Sequence, residues 1–312
     1  MPTIARLTPR RALGWLFVAA AVALGGYALA AEWQAVRADL GRLHPLAYLA
    51  SLAAVVVALA ASMLVWRSLL AALGSPLPVG PAARIVFLAN LGKYLPGSVW
   101  PVIAQMELGH TYQVPRRRSA AAFVLYSLLT LGSGAFAALV TLPWVAAGAS
   151  YEYRWVFLLG LLLLAGLHPR VLNPALGLLF RFTRRPAPEC PLTLRGVGAA
   201  FGWALLTWLA YGVHAWVLAA GLGAPYGQAF LLCVGGFALA WCAGFLAVVA
   251  PAGAGVRDWA LVALLLPVLD HPAALVVALL SRLLMSVGDL VVAGLALWAG
   301  ARRRRPTPVR AG

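Results

Sequence analysis

A chain of 312 residues that is 63% hydrophobic and 10% charged has too little charge to cover a soluble surface. With a mean hydropathy of +0.90 it reads as a multi-spanning membrane protein. The formal net charge of +16 sits mostly in arginines between hydrophobic segments and at the two ends, the positive-inside pattern. No basic stretch is interleaved with exposed aromatics, which argues against a nucleic-acid partner. Cys190, Cys233 and Cys242 have no metal-ligand spacing and read as small buried hydrophobes. Neither metal nor cofactor is expected.

Arg6, Arg10 and Arg11 precede the first hydrophobic segment, 12–31. Ala28-Leu29-Ala30 resembles a signal-peptidase site, but twenty apolar residues suffice to span, so an uncleaved first helix with a cytoplasmic N-terminus is the preferred reading. Glu32 to His44 is charge-balanced and reads as an outer loop. The second span, 46–73, ends in the turn cluster Gly74-Ser75-Pro76-Leu77-Pro78.

The stretch that follows, 82–110, is the most unusual in the chain. It is largely apolar, yet it holds the only lysine, Lys93, together with Asn90, Gln105 and Glu107. Pro96-Gly97 breaks its middle, and proline and glycine both disfavour an uninterrupted helix. Broken backbone at membrane depth is tolerated only where it is buried in protein or lines a cavity. The stretch is therefore expected to form a re-entrant hairpin of two short helices, about Ala82–Leu95 and Ser98–His110. Arg84 and Arg116-Arg117-Arg118 flank it, so both arms should meet the cytoplasmic face.

Further hydrophobic segments run over 119–147, 155–180 (with Pro169 and Pro174 as kink points), 196–221, 227–250, 257–269 and 272–299. The arginine-rich loop between Arg181 and Arg195 and the basic tail, 300–312, read as cytoplasmic. Pro251 to Asp258 is a second proline/glycine break, either a cytoplasmic turn or the tip of a hairpin entering from outside. The expected fold is an all-α polytopic membrane protein, one domain of six to eight transmembrane helices with one or two re-entrant hairpins. A break in each half raises the possibility of an inverted repeat.

Ionisable groups inside hydrophobic segments are expensive and by default functional. Lys93, Glu107, Arg257, Asp258, Arg282 and Asp289 qualify, with Arg84 near a segment end. Each has a plainer alternative: an ion pair across the hairpin for Lys93 and Glu107, helix capping for Asp258, and a structural charge pair for Arg282 and Asp289. The last two lie seven residues apart, on one face of the final span. His214 reads as a hydrogen-bonded core residue. No P-loop, GxSxG or HExxH motif occurs, so no enzymatic role is expected. Glu32 and Asp39 offer weak support for a membrane transferase.

Asn90-Leu91-Gly92-Lys93-Tyr94-Leu95-Pro96-Gly97-Ser98-Val99-Trp100 and Pro251-Ala252-Gly253-Ala254-Gly255-Val256-Arg257-Asp258 resemble two signature stretches of the transmembrane, flippase-like region of lysylphosphatidylglycerol synthases. The second signature usually reads Pro-Gly-Gly-x-Gly-x-Arg-Glu; Ala252 replaces its first glycine, and Asp258 keeps the carboxylate in shortened form. The resemblance implies a helical protein of the bacterial inner membrane that moves lipids or lipid-linked intermediates between leaflets, a stand-alone member lacking the aminoacyl-transferase domain. Gly92, Pro96, Gly97, Arg257 and Asp258 carry over from the signatures.

On that reading Lys93, Arg257, Arg282 and Arg84 are candidate contacts for an anionic headgroup, supported by Asn90, Gln105, Glu107, Asp258 and Asp289. Gly92, Pro96, Gly97, Pro251, Gly253 and Gly255 mark the bendable breaks. The expected partners are membrane lipids. The alternative is an accessory protein for a cell-envelope glycosyltransferase, with a polyprenyl-lipid transferase behind it.

Overall fold

The computed structural model describes residues 33–94, 99–144, 154–182, 191–247 and 255–302. The first segment, Pro96, Gly97, Cys190, Pro251, Gly253 and all but the start of the basic tail lie outside these. Among the described residues the chain is helical with no strand, an all-α polytopic membrane protein. Five helices are long and apolar enough to cross a membrane, or six if a bent pair counts as one.

Helix α1 (Trp33–Arg42) precedes α2 (Pro45–Ala72), so the expected outer loop is mostly a short helix. His44 caps α2 by accepting from the Leu46 N–H, and Pro45 occupies the first turn, where its missing donor costs nothing. Helix α3 (Val79–Asn90), a 3-10 turn (Leu91–Tyr94) and α4 (Trp100–His110) occupy the broken stretch. Then come α5 (Arg116–Thr141), α6 (Arg154–Gly166) and α7 (Pro169–Phe182). The last two replace the single expected segment 155–180. They bend by 69° where Pro169 opens a new helix. Helices α8 (Leu194–Gly221), α9 (Tyr226–Leu246), α10 (Val256–Leu265) and α11 (His271–Arg302) complete the chain.

The centre is the antiparallel pair α2 and α8, in register from Ala72 beside Gly196 at one end to Leu43 beside Gly221 at the other. Helix α11 lies parallel to α2, with Gly288 against Val55. Lipid supplies no hydrophobic drive between helices, so association rests on close packing of small residues. A β-carbon at Gly235 of α9 would collide with Thr141 and Leu142, and one at Gly134 of α5 with Cys242 and Trp208. His214 of α8, fully buried, ties three helices together: Nδ1 lies 2.6 Å from Ser51 Oγ of α2 and Nε2 lies 2.9 Å from Ser281 Oγ of α11.

Helices α3 and α4 form a hairpin. Arg118, at the start of α5, donates to Gly74 O and Ser75 Oγ after α2, both at 3.0 Å. The hairpin thus leaves and rejoins the bundle at one end, which also carries Arg84, Arg116, Arg117, Arg195 and Arg302. At its tip Gly92 lies so close to the start of α4 that a β-carbon would sit 3.1 Å from the Pro101 nitrogen. A side chain there would require the start of α4 to shift by a few tenths of an ångström.

The helices on either side of the second break run the opposite way. Helix α9 starts at the end remote from Arg118 and descends along α8, with Trp241 stacked edge-on against Trp208, ring centroids 5.4 Å apart. Helix α10 climbs back beside it, Leu264 meeting Gly236. Of the stretch Pro251–Asp258, only Gly255–Asp258 lie among the described residues, at the start of α10; the choice between a turn and a hairpin tip falls on residues outside them.

Candidate functional site

The 3-10 turn Leu91–Tyr94 and the start of α10 both reach the middle of α11. Asp289 stands about 27 Å along this 32-residue helix from its start and about 20 Å from its end. From the turn, Lys93 Nζ approaches Asp289 Oδ2 at 2.5 Å and the Tyr94 hydroxyl donates to the same oxygen at 2.6 Å. The start of α10 brings Arg257 and Asp258 to the same face of α11. Arg257 donates to Asp258 Oδ1 from Nη2 at 3.1 Å and Nε at 3.3 Å, and from Nη1 to Met285 Sδ at 3.1 Å. Arg282 Nη1 donates to Asp258 Oδ2, so this carboxylate bridges α10 and α11.

Local sequence explains why α10 begins where it does. Gly255 has φ +85°, the left-handed region that costs a side-chain-bearing residue strain. Its N–H donates to Asp258 Oδ2 at 3.2 Å, which satisfies one of the orphan donors of the first turn. The capping expected of Asp258 is present, and its carboxylate serves two arginines as well.

Burial divides the cluster into a sealed and an open side. Asp289 is 1% exposed and Arg257 7%. The Lys93 and Arg282 side chains are 30% and 37% exposed. Apolar residues flank the open side: Tyr94, Trp100, Leu246, Trp259 and Leu283 are all exposed. Residues 95–98 and 248–254, outside the described residues, contain no ionisable side chain.

Not every residue singled out in the sequence comes here. Arg84 lies against Gly300, about 16 Å along α11 from Asp289, and is no part of the cluster. Glu107 holds neither Lys93 nor Arg257. It is exposed on α4 and accepts a two-pronged bond from Arg116, Nε to Oε1 at 2.9 Å and Nη2 to Oε2 at 2.8 Å. That guanidinium holds the Glu107 carboxyl below the usual carboxylate range. The partner of Lys93 is Asp289 instead: Lys93 lies in the turn after α3 that reaches the middle of α11, whereas Glu107 sits on the exposed side of α4 beside Arg116. Gln105 is buried on α4, and half-buried Asn90 closes α3. Asp39 pairs with Arg42 within α1 at 2.9 Å.

Tyr94 and Met285 are the cluster members that the sequence reading left without a role. Met285 lies three residues after Arg282 and four before Asp289, helical spacing that put it on their shared face. Tyr94 had only its place beside Lys93 to mark it.

Opposed hairpins that carry a cluster of paired charges to the middle of an apolar bundle define a polytopic membrane protein with an intramembrane polar centre. This chain belongs to the family described as the lysylphosphatidylglycerol synthase TM region, which matches residues 12–294. No curated protein matches it.

Proposed function

We propose that this protein moves an anionic phospholipid, or a phosphate-bearing lipid-linked intermediate, between the leaflets of the bacterial inner membrane, and that it acts as a transporter rather than an enzyme. One observation carries the reading: among the described residues, Lys93, Arg257 and Arg282 at mid-height of the bundle are paired with two carboxylates, Asp258 and Asp289. Three cations against two carboxylates leave one positive charge over. A surplus charge at membrane depth is costly unless an anion or water meets it. A phosphodiester carries one negative charge and accepts the charge-assisted hydrogen bonds that guanidinium and ammonium groups donate.

The arrangement supports a path in which the headgroup enters between the tips while its tails stay among the exposed apolar side chains. Lys93 and Arg282, the more open cations, meet the phosphate first. Arg257 can follow by releasing Met285, since a thioether is a weak acceptor. Asp258 and Asp289 hold the cations in place while the centre is empty. By the positive-inside rule the arginine-rich end faces the cytoplasm. The sequence has no nucleotide-binding motif, so movement is downhill or coupled to an ion.

The test is leaflet exchange of a fluorescent phosphatidylglycerol in proteoliposomes. The wild-type protein should accelerate exchange over empty liposomes, and Lys93→Ala and Arg257→Ala should each slow it about tenfold or more, equivalent to ~1.4 kcal/mol of lost stabilisation. Exchange at the empty-liposome rate, or unchanged rates in both variants, would reject the reading.

A further inference from the structure

Asp289 has a feature that headgroup binding alone does not use. Both of its partners, the Lys93 ammonium and the Tyr94 hydroxyl, converge on Oδ2. Its Oδ1 is equally buried and has no hydrogen-bond partner among the described residues. An ionised oxygen without a partner is costly in an apolar interior. It is also the place where a proton can add without displacing Lys93 or Tyr94.

The surroundings narrow what else could titrate there. Arg257 and Asp258 of α10 and Arg282 of α11 are already paired with one another. From α5 and α8 the groups within electrostatic reach of Asp289 are the hydroxyls of Tyr126 and Tyr211. His214, also on α8, has both ring nitrogens engaged by serines. Helix α2 offers Val55 and Leu59 beside Gly288; Arg84 of α3 lies against Gly300, and Glu107 of α4 is held by Arg116. Asp39 and Arg42 of α1 pair with each other. Helix α9 contributes no charged side chain.

We propose that Asp289 takes up a proton together with the anionic headgroup, so that proton and lipid cross as a pair. The proposal rests on the lipid-moving reading above and adds its coupling. A proton from water binds Oδ1 and the carboxylate becomes a neutral acid; no other bond is made or broken. The Lys93–Asp289 ion pair loses its negative member, and the surplus in the cluster rises from one positive charge to two. Lys93 is then released to the phosphate, and the proton returns to water when the lipid leaves. By reciprocity, whatever protonation does for lipid affinity, lipid does for proton affinity.

Binding of a short-chain phosphatidylglycerol to the detergent-solubilised full chain tests this. A phosphodiester keeps one charge between about pH 5 and pH 8, so any slope belongs to the protein. Affinity should strengthen as pH falls, by up to about tenfold per pH unit for one linked proton. Adding lipid to a weakly buffered sample should remove protons from solution. Asp289→Asn, a stand-in for the neutral acid, should bind at the tight low-pH level with no slope, and Asp289→Glu should restore the slope. Should Asp289→Asn fail to fold, proton uptake by the wild-type protein decides alone. Lipid binding without proton uptake, or an unchanged slope in Asp289→Asn, overturns the coupling and leaves the lipid-moving reading intact. No lipid binding at any pH overturns both.

Discussion

Arg257 divides its guanidinium between a carboxylate and a sulfur, and that division sets how it responds to substitution. Two of its nitrogens grip Asp258 while the third rests on Met285. A lysine is a point charge without this planar fork, so Arg257→Lys should lose most of the exchange activity despite keeping the charge. Tyr94→Phe and Asp289→Ala should separate two kinds of loss, read as thermal unfolding in detergent. The first removes a donor to a charged acceptor and should cost about 1.5–3 kcal/mol. The second strands Lys93 beside an apolar helix face and should cost more, about 3–5 kcal/mol. Glu107 provides the control. Because Arg116 lowers its folded-state pKa, the pair contributes above the ordinary carboxylate range and is lost only as pH falls through that lowered value. Glu107→Gln should therefore leave exchange and its dependence on neutral pH unchanged.

Each hairpin places a glycine where a side chain would meet close backbone or a left-handed conformation. At Gly92 a larger side chain would press on the backbone of Trp100 and Pro101, so Gly92→Val should spread the arms and withdraw Lys93 from Asp289. The expected outcome is a folded protein with slowed lipid exchange, checked by circular dichroism beside the proteoliposome assay. Gly255→Ala places a β-carbon at φ +85° and should destabilise by about 1–2 kcal/mol. The first hairpin was legible in the sequence because Pro96-Gly97 interrupts an apolar run flanked by arginines. The direction of the second was not, since a proline-glycine run looks alike as a turn or as a tip. Nor was the pairing of Lys93 legible. Its neighbour Tyr94 and their shared acceptor lie 195 residues apart, and no local spacing encodes a contact of that range. Glu107 misled for the opposite reason: its partner is Arg116, only nine residues on across a turn.

At the scale of the whole molecule, the pair α3 and α4 and the pair α9 and α10 approach the middle of α11 from opposite ends of the bundle. Single cysteines introduced into a Cys190→Ser background test this directly. Thr111, exposed between α4 and α5, and Tyr226, 70% exposed at the start of α9, should react with a membrane-impermeant thiol reagent from opposite sides. Labelling of both from one side would undo the topology. The interior that holds the hairpins together rests on small residues. Gly235→Leu should therefore destabilise the fold by about 1–3 kcal/mol through overpacking against Thr141 and Leu142.

Because Lys93 is the single lysine of the chain, the centre of the bundle carries a chemical label of its own. Reductive methylation with isotopically enriched formaldehyde preserves its charge and, the N-terminal amine aside, marks nothing else. Its resonance would then report the state of the carboxylate beside it in an unmutated protein, lipid by lipid.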